Sequence, residues 1–251
     1  MKQVVILGDS WGAGVWGPRT TPARLTPISP GFEQFFQQRG HKVINLSKPG
    51  SSNREQINKL KDYCKTGNTK DTVFLMVQTD PFRSIKPYDK FSELIIQCKG
   101  LLSAMSYVRK MDYNLLQNVC EEYKIQTHLI GGLSAVVPEE INNTKILIPL
   151  VLSWPGLLLK DLPEYKNINW NKFSLWGSEW TIKSISLSDL MNTGKMNGIF
   201  ANLAEQVIEE LHELDKNNII FNHSYFAPDY AHPNLEAHKI LFDYIVDGLK
   251  E

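Results

Sequence analysis

Apolar and polar positions alternate along this chain in two distinct rhythms. Short, nearly unbroken apolar runs occur at 3–7 (QVVIL), 42–47 (KVINLS), 72–78 (TVFLMVQ), 125–131 and 145–152. Runs of that length suit strands buried on both faces of a sheet. Between them the apolar residues return every three or four positions. "FEQFFQQRG" reads as a short helix stopped by Gly40, and "REQINKLKDYCK" (54–65) as an amphipathic helix with Ile57, Leu60 and Cys64 on one face. Residues 87–124 carry helical spacing through Phe91, Leu94, Ile95, Cys98, Leu101, Leu102 and Met105, with a break expected near Asp112. Helical spacing resumes at 198–216. Pro233, suited to a first helical position, opens a last helix with Leu241, Tyr244, Ile245 and Leu249 expected to face inward.

Strands alternating with helices imply a parallel sheet covered on both faces. The expected fold is therefore a single α/β domain over 1–251, a three-layer α/β/α sandwich of the flavodoxin-like type with a parallel sheet of about five strands. Two irregular stretches interrupt it. One is the proline-rich segment 18–31; the other, 154–196, holds Trp154, Trp170, Trp176 and Trp180, which are expected to serve packing. In such sheets ligands lie beyond the carboxyl ends of the strands, where strand order reverses. That rule singles out residues 8–17, 47–53 and 78–83.

The first of these loops, "GDSWGAGVWG", contains three rival patterns. Gly8-Asp9-Ser10-Trp11-Gly12 matches the G-x-S-x-G nucleophile turn, which requires a sheet already built before the serine; here Ser10 follows the first strand. Gly12-Ala13-Gly14-Val15-Trp16-Gly17 matches a dinucleotide fingerprint, but Gly12 lies well past the strand end and Pro18, Pro22 and Pro27 forbid the helix that must follow. The remaining reading takes Gly8-Asp9-Ser10 together with "PDYAHPNLEAHKIL" (228–241), where Asp229 stands three residues before His232. An Asp-x-x-His turn can bond a carboxylate to one imidazole nitrogen and leave the other facing the site. Serine, base and orienting acid are the minimum set for acyl transfer through a covalent serine ester.

With Gly-Asp-Ser after strand one, a glycine loop "NLSKPGSSN" (45–53) after strand two and Asp-x-x-His-Pro before the last helix, the chain resembles the SGNH/GDSL hydrolases. The resemblance runs in order along the whole chain, on three short blocks. It implies a serine-dependent hydrolase of small carboxylic esters, including O-acetyl groups on carbohydrates, with Ser10 as nucleophile, His232 as base and Asp229 as its orienting acid. It also implies an oxyanion hole from the backbone N–H groups of Ser10 and Gly50. Where the family carries an Asn as third donor, this chain has "VQTDPFR" (77–83), with Thr79 and Asp80 at that place. Thr79 through its hydroxyl, or Asn53 through its amide, would stand in for the missing Asn; the alternative is a binding or structural protein that has lost efficient catalysis. Losing one such donor costs about two to three orders of magnitude in turnover. Asp80 is expected to point away from the site or to pair with Arg83. The bland expectations are a Pro-Gly turn for Gly50, a helix cap for Asn53, and packing or surface for His238.

Charge narrows the partners. Lys plus Arg and Asp plus Glu number 27 each, which argues against a nucleic-acid surface. The most apolar stretch, "ILIPLVLSWPGLLL", carries two prolines and is too short to span a bilayer, and the N-terminal apolar run is too short for a signal peptide. The expectation is a cytoplasmic protein with free thiols at Cys64, Cys98 and Cys120, no membrane contact and a small-molecule or carbohydrate ester as substrate. Neither the cysteines nor His41, His128, His212 and His223 show metal-ligand spacing, and no cofactor is implied.

Overall fold

In the computed structural model, residues 2–16, 27–85, 90–175, 199–226 and 232–249 are described. Five strands, β1 (Gln3–Leu7), β4 (Lys42–Asn45), β5 (Thr72–Gln78), β6 (Thr127–Gly131) and β7 (Leu147–Val151), form one sheet in the order β4-β1-β5-β6-β7. Every pairing in it is parallel. The apolar runs are continuous because successive side chains enter opposite cores. In β1, Val4 and Ile6 join Leu75, Val77, Ile130 and Trp154 on one face, while Val5 and Leu7 join Phe74, Met76, Leu60 and Leu116 on the other.

The second of these faces is covered by α3 (Asn53–Thr66) and α5 (Leu101–Tyr123), the first by α2 (Glu33–Gln38), α6 (Trp154–Leu159) and α8 (Leu235–Gly248). The expected three-layer sandwich is thus present. A further small core gathers Phe82, from the 3-10 turn Pro81–Ser84, and Ile95 of α4 (Lys90–Cys98) with residues of α5 and Val207 and Leu214 of α7 (Ile199–Asp215). Two short strands, β2 (Val15–Trp16) and β3 (Pro27–Ser29), pair antiparallel outside the main sheet.

Ser52, not Asn53, caps α3. Its hydroxyl accepts from Glu55 N while the Glu55 carboxylate accepts from Ser52 N, a reciprocal capping box. Ser52→Ala is expected to cost about 1 kcal/mol of unfolding free energy, read by urea denaturation at neutral pH. Three further expectations are corrected. The helical region breaks at Lys99-Gly100, and Asp112 lies within the unbroken α5, where its carboxylate accepts from Ser84 Oγ at 2.6 Å. Pro233 precedes the helix; Asn234 is the cap of α8, its side chain accepting from Ala237 N at 2.9 Å. Tyr244 is exposed, and the inward stripe of α8 is Ala237, His238, Leu241, Phe242 and Ile245.

The tryptophan-rich stretch begins in the core. Trp154 is fully buried and meets Trp11, Phe32 and His238 edge-on, and Trp170 stacks on Phe173. Trp176 and Trp180 lie outside the described residues, as does most of the proline-rich segment. Packing is tight enough beside His238 that a Cβ on Gly31 would stand 2.5 Å from the imidazole Cε1.

Candidate active site

Strand order reverses at β1: the chain passes from β1 to β4 on one side, then returns to place β5 on the other. The carboxyl ends of β1 and β5 therefore border the crevice where such sheets bind ligands. Both candidate loops open there. After β1, Asp9 turns the chain into α1 (Ser10–Ala13), its Oδ1 accepting from Trp11 N at 2.9 Å, so that Ser10 is the first residue of the turn. Ser10 is half-buried, and no hydrogen bond involves its Oγ or its backbone N–H among the described residues.

The loop after β4 is fastened to the same place. Lys48 N donates to Gly8 O at 3.0 Å, and Ser51 N donates to Lys48 O at 3.0 Å, closing a turn over Pro49 and Gly50. Gly50 has φ +73, the left-handed conformation that the third position of a Pro-Gly turn requires. Gly50 is exposed, and its N–H has no acceptor among the described residues.

His232 lies just before α8, buried beneath Trp16. The two rings stack with centroids 4.8 Å apart and planes at 28°. Trp16 Nε1 donates to Ser10 O at 2.7 Å. One tryptophan thus touches both proposed reactive residues. Burial, followed by the nearby Arg83 charge, holds the His232 pKa down at about 4, so the ring is neutral at pH 7, the form a proton acceptor needs. The segment that carries His232 is tied back by a bridge between Phe226 and Pro233 and by Asn234 N donating to Tyr225 O at 2.7 Å. Asp229 lies outside the described residues.

Beyond β5 the structure departs from expectation. Thr79 Oγ1 donates to Asp9 Oδ2 at 2.7 Å, so its single hydroxyl hydrogen is directed at a carboxylate rather than into the crevice. Asn53 spans the Thr79 backbone instead, with Nδ2 donating to Thr79 O at 3.3 Å and Oδ1 accepting from Thr79 N at 3.0 Å. Its amide therefore fastens α3 to the end of β5. Asp80 caps the 3-10 turn Pro81–Ser84, accepting from Phe82 N at 2.9 Å. Arg83 pairs with Asp9, not Asp80: its Nη1 lies 2.8 Å from Asp9 Oδ2 and 3.0 Å from Thr79 Oγ1. Asp9, fully buried, is thereby both the cap that sets Ser10 and the counter-ion of Arg83.

Sequence reasoning named Arg83 only as a partner for Asp80 and missed its place in the site, because its actual partner is 74 positions away. The four remaining histidines and the cysteines form no metal-ligating group among the described residues. His238 is buried packing, its Nδ1 accepting from Phe32 N at 3.1 Å. A cavity of about 970 Å³ lies at the opposite end of the sheet, against Val4, Val73, His128 and Ile148, and takes no part in this site.

No protein-family model matches the sequence, and no curated protein matches it either. Among solved structures the chain is similar to GDSL-type lipolytic proteins. A member of the lipolytic G-D-S-L family from Veillonella parvula shows 13% identity over 98% of this chain and 97% of its own, with a TM-score of 0.40. The lipase/acylhydrolase from Enterococcus faecalis shows 13% identity over 100% and 96%, with a TM-score of 0.40. TesA shows 11% identity over 99% and 98%, with a TM-score of 0.42. Likeness at this level is one of outline, and residue roles rest on the geometry alone.

Proposed function

We propose that this chain is a serine-dependent hydrolase of small carboxylic esters that works through an acyl-enzyme. The observation that carries the reading is the position of Trp16, which bonds the carbonyl of Ser10 and stacks on His232 at the switch point of the sheet. Ser10 Oγ attacks the ester carbonyl as neutral His232 accepts its proton. Asp229, by its spacing from His232, orients the ring and stabilises the imidazolium. The alkoxide leaves with the proton returned by His232, and a water activated by the same ring releases the acid. The N–H groups of Ser10 and Gly50, which have no acceptors among the described residues, receive the oxyanion. Metal and cofactor have no role in this scheme.

A second reading, a binding protein on the same scaffold, draws on the engagement of Thr79 with Asp9, which leaves that hole short of a side-chain donor. Labelling with a fluorophosphonate, alongside hydrolysis of p-nitrophenyl acetate and butyrate, separates the two. The hydrolase reading expects turnover and a single covalent adduct on the peptide holding Ser10. Absence of both sinks it. The Trp16 contact gives a further expectation: Trp16→Ala lowers kcat about tenfold or more through lost positioning of His232, while Trp16→Phe, which keeps a stacking ring, retains most of it.

A further inference from the structure

Charge in the loops beyond β4, β1 and β5, and on the parts of α3 and α5 packed beside them, is layered. The carboxylates lie underneath: Asp9 is 0% exposed, Asp80 4% and Asp112 3%. The cations lie outside. Lys48 is exposed, the Arg54 side chain is 38% exposed and that of Arg83 is 23% exposed. In the Arg83–Asp9 and Arg54–Asp112 pairs the cation is thus the solvent-facing member.

Arg83 is the innermost of these cations. Nη1 spends its two hydrogens on Asp9 Oδ2 and Thr79 Oγ1. The other three N–H groups, on Nε and Nη2, have no acceptor among the described residues. A counter-ion for Asp9 needs only a point charge, which lysine would supply. A guanidinium adds a planar edge suited to holding a carboxylate or phosphate through two parallel hydrogen bonds. The same charge opposes protonation of His232. An anion bound against Arg83 would offset that opposition at the step where the imidazolium forms, and so would favour turnover as well as binding.

We propose that the site takes an ester bearing a second, negatively charged group, which the outward edge of the Arg83 guanidinium binds. The proposal rests on the hydrolase reading and names its substrate class: an anionic ester, with the charge on either the acyl or the alcohol side.

Two matched pairs of esters test it on the full chain. For the alcohol side, 4-acetoxybenzoate is compared with its neutral methyl ester; for the acyl side, the p-nitrophenyl monoester of adipate is compared with p-nitrophenyl hexanoate. The anionic member of one pair is expected to have the higher kcat/KM, on the order of tenfold or more, through kcat as well as KM. The advantage should shrink in concentrated salt. Arg83→Gln should bring the ratio close to one, and Arg83→Lys should retain part of it. Because Arg83→Gln leaves Asp9 buried without its counter-ion, the double variant Asp9→Asn/Arg83→Gln is measured beside it. Binding of benzoate against benzamide, followed by calorimetry in wild type and Arg83→Gln, gives a readout independent of turnover.

Esters hydrolysed with no charge preference, or a preference that survives Arg83→Gln, overturn the anion proposal and leave the hydrolase standing. Benzoate held through Arg83 with no ester hydrolysed overturns the hydrolase and retains the anion site. Neither hydrolysis nor Arg83-dependent binding overturns both.

Discussion

Ser10→Ala is expected to abolish ester turnover, by about three orders of magnitude or more, while leaving the thermal midpoint within a degree or two of wild type. The separation follows from what Ser10 contributes to each. Its backbone carbonyl receives Trp16 Nε1, and the turn it begins is capped by Asp9. Neither contact uses Oγ, which makes no hydrogen bond among the described residues. Alanine keeps the backbone, favours the helical conformation and removes only the hydroxyl proposed as nucleophile. His232→Ala should reach a similar floor, since nucleophile and base act as a unit, and the double variant should fall little further. Hydrolysis of p-nitrophenyl acetate with a paired melting curve checks all three. Equal activity in Ser10→Ala and wild type would place the chemistry elsewhere.

The centre of the sheet was readable because β1 and β5 are buried on both faces, which gives each a nearly unbroken apolar run. Residues 72–78 coincide with β5 as observed. Helix ends were less readable, because caps depend on which neighbour wins. Ser52 rather than Asn53 caps α3, since Ser52 has Glu55 three residues on to complete the reciprocal pair, while Asn53 is drawn off to Thr79. Asp112 resembles a helix break only until its partners are known. Ser84 Oγ and the Arg54 guanidinium reach it from other elements and let a carboxylate sit on the buried face of α5. The β2–β3 ladder involves too few residues to show any period.

The site divides along the same line. Ser10 and His232 were marked by position, one at a strand end and one before the last helix. The assignment of side-chain donors was not legible, because it is decided by contacts between distant loops. Thr79 stands one strand away from Asp9, and the short distance between their side chains comes from β1 and β5 pairing in register, Leu7 beside Met76. That same closeness brings Arg83 to Asp9. A sequence shows Arg83 only as one of its many cations, three residues from an equally plausible acid at Asp80.

Acid should unfold this protein earlier than its carboxylates alone would dictate. His232, with a pKa of about 4, and His238, held at about 3 by burial, remain neutral in the fold, whereas in the unfolded chain each takes up a proton near pH 6.5. Between those values the unfolded state binds more protons, so unfolding free energy falls as pH falls. His128, lowered by burial as well, acts in the same sense. Asp112 opposes them: burial raises it to about 6, so between pH 6 and about 4 the folded state holds its proton more tightly than the unfolded state does. Two histidines against one aspartate leave a net loss on the order of 5 kcal/mol between pH 7 and pH 3, enough to consume the stability of many domains of this size. Urea denaturation at pH 7, 5.5 and 4.5 should therefore give falling midpoints. Asp112→Asn should steepen the fall, because it removes the opposing group and keeps an acceptor for Ser84. A flat profile from pH 7 to 4.5 would mean that the histidines are hydrated and protonated in the fold, and that Trp16 does not shield His232 as the stacking indicates.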